Sequence, residues 1–369
     1  MIIGILKDED GENRVAVTPD AIPGLLKAGF QSVMVERGAG DRSYFDDAAY
    51  EKQGATVADG ATVLKQANVL VRINPLPSFS ALSPGQVFVG QVNPLAQPDL
   101  VNGIVGSGIT AFSLDLVPRS TRAQAMDVLS SMATVAGYKA VLTAASHLPT
   151  FFPMLMTAAG TVKPAKVLIL GAGVAGLQAI SSARRLGAVV EAFDVRAAAK
   201  EEVLSLGAKF VEVAGATDDK AAGGYAVEQT EEFKQRQAQL IHDHAIQSDV
   251  VICTAQIPGR KAPLLLRTAT VDAMKSGAVV VDLAASSGGN CEVTQNGQTI
   301  RHGGVTVIGN SSLPGSVPKD ASFMFSKNVF NFLKLLIKNG AMNLDFQDDI
   351  LAASCIAHEG QIVSARLKK

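Results

Sequence analysis

Residues 166–180, "KVLILGAGVAGLQAI", constrain the fold of this chain more than any other stretch. An apolar run leads straight into Gly171, Gly173 and Gly176, spaced G-x-G-x-x-G, and a helix-like sequence follows. In that arrangement Gly171 allows a tight turn, and Gly173 lets the backbone approach a pyrophosphate. Gly176 lets the helix pack close to the strand, and the helix N-terminus favours an anion. The spacing alone is weak evidence, because a glycine turn can hold nothing. Here Asp194 ends the next apolar run, which is the context a dinucleotide fingerprint requires. An acid there accepts hydrogen bonds from an adenine ribose and repels a 2′-phosphate, favouring NAD over NADP. Arg196 works the other way, since a nearby arginine can accept that phosphate.

Around this motif, residues 164–310 carry six apolar runs, at 166–171, 189–195, 209–213, 249–255, 278–284 and 305–309. They suit a doubly wound parallel sheet. Residues 1–115 show a second set, at 2–6, 32–36, 69–73, 87–92 and 109–115, with amphipathic stretches such as "PDAIPGLLKAGF" and "DGATVLKQA" between them. The expected fold class is therefore α/β, with two Rossmann-like doubly wound parallel-sheet domains and a cofactor cleft between them. The expected domains are 1–125 plus 321–369, discontinuous, and 126–320 with a long linker helix over 121–147. The tail, with an amphipathic helix over 323–338, is expected to return to the first domain.

Charge and cysteine usage exclude several classes. Lys and Arg number 33 against 34 Asp and Glu, which gives no electrostatic case for nucleic acid. Cys253, Cys291 and Cys355 are scattered, without disulfide or metal spacing, as in a reducing cytosol. The start, "MIIGILKDEDGENR", turns acidic too early for a signal peptide. Residues 140–162 lack Asp, Glu, Lys and Arg, but Pro149 and Pro153 interrupt them, so a buried helix or a domain junction fits better than a membrane span. The run "NVFNFLKLLI" is too short to cross.

Three further stretches could carry chemistry. Residues 118–131 cluster Arg119, Arg122, Gln124, Asp127, Ser130 and Ser131. Thr121-x-x-Gln124 reads as a capping box, and Gln124, Asp127 and Ser130 or Ser131 fall on one face if the segment is helical. A polar helix start and a ligand-binding face both satisfy this pattern. Residues 214–237 form a polar stretch with Gly223, Gly224 and Tyr225, readable as a lid or as a plain surface loop. "TAQIPGRKAP" follows the run at 249–255. At the carboxyl end of that run, the fourth of those in residues 164–310, Gln256 could reach a nicotinamide ribose, or the segment could be an ordinary Pro-Gly turn.

The histidines, at 147, 242, 244, 302 and 358, are placed outside the first domain, with His242 and His244 on a solvated surface and no metal expected. An alcohol or amine dehydrogenase needs a general acid/base beside the carbon that gives up hydride. No candidate is found in the first domain. Hydride transfer between two nicotinamide rings moves no proton and needs only ring contact with water excluded.

The chain resembles the NAD(H)-binding domain I of proton-translocating NAD(P) transhydrogenase, in the form where that domain is a separate piece of the alpha subunit. "NRVAVTP", "PRSTRAQAMD", "AGYKA", "TAAGTV" with the glycine motif, "AGGYA" and "DLA" with "GGNCE" carry the likeness along the whole chain. The resemblance implies that Arg119, Gln124 and Asp127, with Ser130 just beyond, hold the nicotinamide and orient it toward NADP(H) on a partner domain. It implies further NAD(H) contacts from Ser120, Thr121, Arg122, Val174, Asp194, Val195, Arg196, Gly224, Tyr225, Gln237 and Gln256. It also implies a Re/Si-specific, proton-translocating enzyme and a homodimer. The partners are a membrane subunit (domain II) and an NADP-binding subunit (domain III). The chain is then expected to be cytoplasmic and peripheral on the cytoplasmic face of the membrane.

Some residues depart from that pattern. Ser120 and Thr121 stand where the family has Ile and Ser, and Gln256 stands for Leu. No hydrophobic domain II follows Lys369, so proton movement is expected to need other subunits. The chain is also similar to alanine dehydrogenase, and that likeness implies that Arg14 corresponds to its substrate-carboxylate arginine. The catalytic lysine region, however, reads "VRINPLP" with Arg72, and arginine keeps its proton at neutral pH. The catalytic histidine region reads "FVGQVNPLAQ", without histidine. An NAD-binding protein without turnover is the remaining alternative.

Overall fold

Short runs of Val, Ile and Leu become parallel strands in both halves of the chain, because strands covered on both faces need no polar alternation. The structure, a computed structural model, describes residues 1–213, 230–257 and 259–368. It divides into two units, Met1–Met132 with Gly315–Lys369, and Ala133–Pro314.

In the first unit, β1 (Ile2–Ile5), β2 (Ser32–Glu36), β3 (Thr56–Ala58), β4 (Val69–Val71), β5 (Val87–Gly90) and β6 (Thr110–Ser113) are parallel. Crossovers carry α1 (Ile22–Ala28), α2 (Asp47–Lys52), α3 (Gly60–Gln66) and α4 (Pro98–Ser107). Val69, Leu70 and Val71 pair in register with Val87, Phe88 and Val89, and all six are buried. The tail supplies α10 (Pro318–Leu333), a small hairpin of β16 (Ile337–Lys338) and β17 (Ala341–Met342), α11 (Asp349–Ser354), β18 (Cys355–His358) and β19 (Gln361–Ile362). Strand β18 pairs antiparallel with β6, giving the order β19-β18-β6-β5-β4-β1-β2-β3. Phe332 of α10 meets Phe112 of β6 edge-on, with ring centroids 5.4 Å apart. Ser322 and Ser326 of the same helix accept the backbone N–H groups of Val15 and Thr18 at 2.9 and 3.0 Å.

In the second unit, β9 (Lys166–Leu170), β10 (Val189–Phe193), β11 (Lys209–Val211), β12 (Val250–Cys253), β13 (Val279–Asp282) and β15 (Val305–Ile308) are parallel, and β14 (Thr299–His302) runs antiparallel. The order is β11-β10-β9-β12-β13-β15-β14. Helices α6 (Val174–Arg185), α7 (Ala199–Ser205), α8 (Glu231–Ala245) and α9 (Thr268–Ala273) complete the layers. A separate hairpin, β7 (Leu155–Thr157) with β8 (Gly160–Val162), stands ahead of β9. The α/β class with Rossmann-like parallel sheets is thus the observed one.

Three expectations need correction. The long helix α5 begins at Val128, not near Thr121, and runs to His147. Residues 124–126 form a separate 3-10 turn, and Asp127 has ψ 88°, outside the helical range. Thr121 and Gln124 are therefore no capping box, and Gln124, Asp127 and Ser130 share no helix face. Asp127 is the effective cap: its carboxylate accepts the Ser130 N–H at 2.9 Å and the Ser130 hydroxyl at 2.6 Å. Secondly, His358 lies in the first unit, because β18 joins that sheet, and its Nδ1 is 2.8 Å from Thr110 Oγ1. Thr110 opens β6, so this histidine sits at the amino end of the strands, away from their carboxyl edge. Thirdly, His242 and His244 are half-buried and engaged by Thr270 and Glu191 rather than merely solvated. Among the described residues, α5 is long and apolar enough to cross a membrane by length and composition, a test the core helix of a soluble protein also passes.

Candidate functional site

The strand order of the second unit places its switch point between β9 and β12, where chain progression reverses and carboxyl ends leave a crevice. Gly171 follows β9 with φ of +100°, a conformation that side chains with a Cβ rarely adopt. Thr254, following β12, donates its hydroxyl to the Gly171 carbonyl at 2.8 Å and so closes one side of the turn. Gly173 is extended, and the space a Cβ would take there is open. Helix α6 starts at the next residue with no side-chain cap, leaving its first N–H groups to a ligand or water. A Cβ on Gly176 would lie 1.9 Å from the Gly171 carbonyl oxygen, so only glycine permits this approach of helix to strand. Each glycine therefore has a physical reason, and together they leave an anion cradle at the crevice.

Asp194 follows β10 and is tied into that turn. Its Oδ2 accepts the Ala172 N–H at 2.7 Å, and its Oδ1 accepts the Arg196 N–H at 2.8 Å. The Arg196 guanidinium adds bonds of 2.9 Å to each oxygen. Val195, between them, packs against the sheet core. Val174 is exposed at the mouth of the glycine turn, and Gln237 is half-buried on α8. Gln256 sits after β12, and its amide nitrogen donates to the Leu283 carbonyl at 2.8 Å. Gly224 and Tyr225, with the rest of 214–229, lie outside the described residues.

The loop carrying Gln256 has a support that sequence reading did not single out. Asn290 accepts the Ala255 N–H at 3.0 Å and donates to the Ala255 and Pro263 carbonyls at 2.9 and 2.8 Å. Its own N–H, and that of Cys291, go to Asp282 Oδ2 at 2.8 and 3.0 Å. Burial drives the Asp282 carboxyl up from its ordinary range, against the pull of these donors. The signal was present in "DLA" followed by "GGNCE", which reads as a turn until its hydrogen bonds are known.

In the first unit, the segment after β6 presents the other candidates. Ala123 and Met126 are buried anchors, while Arg119, Thr121, Arg122 and Gln124 project outward and Ser120 is half-buried. Asn328 and Asn331 of α10 both donate to the Ala125 carbonyl, at 2.9 and 3.2 Å. Arg122 is held by Asp348 and Asp349 of the tail. Asp127 and Ser130 satisfy each other at the start of α5, so their immediate work is to fix the end of this segment.

The same unit holds an acid–base cluster. Arg14 pairs with Glu12 through Nε–Oε1 at 2.8 Å and Nη2–Oε2 at 2.5 Å. Burial works against ionisation of Glu12, but the Arg14 bonds and charge outweigh it and hold the carboxyl low. Buried Arg72 lies with its Nε 3.4 Å from Asp8 Oδ1 and donates Nη1 to the Pro75 carbonyl at 2.9 Å. Both guanidinium groups are thus engaged by the chain's own oxygen atoms.

The model of the alanine dehydrogenase/PNT N-terminal domain matches residues 4–136, and that of the corresponding C-terminal domain matches 140–365. The chain is 41% identical to the first part of NAD(P) transhydrogenase subunit alpha of Rhodospirillum rubrum, over 100% of this chain and 99% of that protein. It matches the crystal structure of transhydrogenase from Sinorhizobium meliloti at a TM-score of 0.90 and 42% identity, covering 98% of this chain and 100% of that one. An L-alanine dehydrogenase structure matches at a TM-score of 0.83 and 25% identity, covering 100% of this chain and 98% of that one. With both family domains matched and its whole length shared with a transhydrogenase subunit, the chain belongs to the alanine dehydrogenase/PNT family, in the branch of NAD(P) transhydrogenase alpha subunits.

Proposed function

We propose that this chain binds NAD(H) and passes hydride directly between it and NADP(H) held by an NADP-binding partner subunit. The observation that carries the reading is buried Arg72, engaged by Asp8 and the Pro75 carbonyl in the region where the likeness to alanine dehydrogenase implies a catalytic lysine, with Arg14 already paired to Glu12. Amino-acid oxidation needs a group there that exchanges a proton, and arginine does not. Hydride transfer between nicotinamides needs none: a hydride with its electron pair leaves C4 of NADH and joins C4 of NADP+, giving NAD+ and NADPH.

The protein's share is then orientation and exclusion of water. The glycine turn and the start of α6 hold the pyrophosphate. Asp194 takes the adenine ribose, and Val174, Val195, Arg196, Gly224, Tyr225, Gln237 and Gln256 add nucleotide contacts. Gln124 and Arg119, with Ser120 and Thr121, orient the nicotinamide, while Asp127 and Ser130 fix the segment that carries them. Two copies of the chain assemble, each covering the other's β7–β8 hairpin. Among the described residues that hairpin pairs with no other strand and leaves Met154, Met156 and Val162 exposed, and a two-stranded hairpin alone is marginal in water. The dimer docks on the cytoplasmic face of a membrane subunit that couples hydride transfer to proton movement.

A single absorbance record tests this. The purified chain with NADH is offered pyruvate and ammonia, then an NADP+-loaded NADP-binding subunit of a transhydrogenase. NADH oxidation only after the second addition is expected. Turnover with pyruvate and ammonia would establish amino-acid chemistry instead.

A further inference from the structure

The segment proposed to orient the nicotinamide is short and mostly exposed, so something must hold it still. Its backbone is pinned at Ala125 by Asn328 and Asn331. A further fastening is Arg122, whose Nη1 and Nη2 meet Asp348 Oδ2 and Oδ1 at 2.6 and 2.7 Å in a two-pronged pair, with Asp349 also bonded to Nη2. Asp348 is itself fixed, because its Oδ1 caps α11 by accepting the N–H groups of Ile350 and Leu351 at 2.9 and 3.2 Å. Helix α11 leads directly into β18, which is hydrogen-bonded to β6, the strand from which the segment departs. The tail and the segment thus form a closed bracket around Gln124.

The Arg122 side chain is 48% exposed, and exposed ion pairs contribute little to folding stability. A two-pronged arginine–carboxylate pair does fix direction, which lysine cannot reproduce. Arg122 also points its guanidinium at the tail rather than offering it to a nucleotide. Resting on the hydride-transfer reading above, we infer that Asp348 and Arg122 are positioning residues: the tail acid, acting through Arg122, sets the orientation of Gln124 and hence the rate of hydride transfer. Arg122 then serves the nucleotide site without binding the nucleotide.

The test uses Asp348→Asn and Arg122→Lys in the full chain. Asparagine still caps a helix, so Asp348→Asn removes the charged fork and leaves α11 intact. Arg122→Lys leaves the cap untouched and keeps the charge. With the NADP+-loaded subunit, single-turnover hydride transfer should fall by about ten- to a hundred-fold in each variant, the scale of a small misplacement. NADH affinity, measured by nucleotide fluorescence, should stay within about twofold. The double variant should be no slower than either single one, because both break one fork. Amide hydrogen exchange across 119–127 should quicken in both variants, and this readout does not depend on turnover. Wild-type transfer rates in the variants would overturn the inference. So would equal losses of rate and affinity, which would make Arg122 a nucleotide ligand, or unchanged exchange. Absence of hydride transfer in the unmodified chain would defeat the hydride reading, while exchange would still report on the bracket.

Discussion

Asp194 illustrates how much a single carboxylate can be asked to do. It accepts bonds from Ala172, from the Arg196 backbone and from both prongs of the Arg196 side chain, which fills the roughly four acceptor positions of a carboxylate. A ribose diol must displace part of this set. Asp194→Ala should therefore weaken NADH binding by on the order of ten- to a hundred-fold, the size of one charged hydrogen bond, and relax discrimination against NADPH. Paired fluorescence titrations check this, and an unchanged preference would mean that another group selects the nucleotide. Gln124→Asn keeps the amide but shortens its reach, so it should slow hydride transfer far more than it weakens NADH binding. Comparing rate with affinity decides the point, since equal losses would remove the orienting role from Gln124.

At the level of elements, the central parallel strands were legible because they are buried on both faces and read as continuous apolar runs. The glycine turn was legible because Gly171 and Gly176 answer steric demands of the turn, while Gly173 leaves open space at its mouth. Gly176→Ala drives a methyl into the Gly171 carbonyl and should cost about 1–3 kcal/mol of stability along with nucleotide binding, as thermal unfolding with and without NADH would reveal. Other elements escaped notice for equally physical reasons. Strands β3 and β14 carry Thr, Arg or His among few apolar residues and lie at sheet edges, too exposed for a burial pattern to mark them. The start of α5 was misplaced because two capping patterns compete within a few residues, and Asp127 with Ser130 wins over Thr121 with Gln124. Asp127→Ala should then lower stability by about 1 kcal/mol, measurable as a drop in Tm. An unaffected Tm would argue that α5 is held by packing alone. The links from Asp348 to Arg122 and from Asn290 to Ala255 were invisible in sequence, since partners lie tens to hundreds of residues apart.

The whole molecule is a chain that leaves its first sheet, builds a second unit and returns to complete the first. Its three cysteines are all buried. Burial pushes the thiols of Cys253 and Cys291 upward and that of Cys355 to about 12, and only the thiolate is reactive. The native protein should give no fast reaction with a dithionitrobenzoate reagent at neutral pH and should react fully once unfolded. A rapidly modified thiol in the native state would contradict this packing. The central claim is that the chain moves hydride and no proton. The most direct test is to supply NADH carrying deuterium at both C4 positions, together with the NADP+-loaded subunit, in ordinary water. Direct transfer predicts NADPH with deuterium at C4 in every molecule formed. NADPH that carries hydrogen from solvent would show that a protein group or water takes part, and the account built on orientation alone would fail.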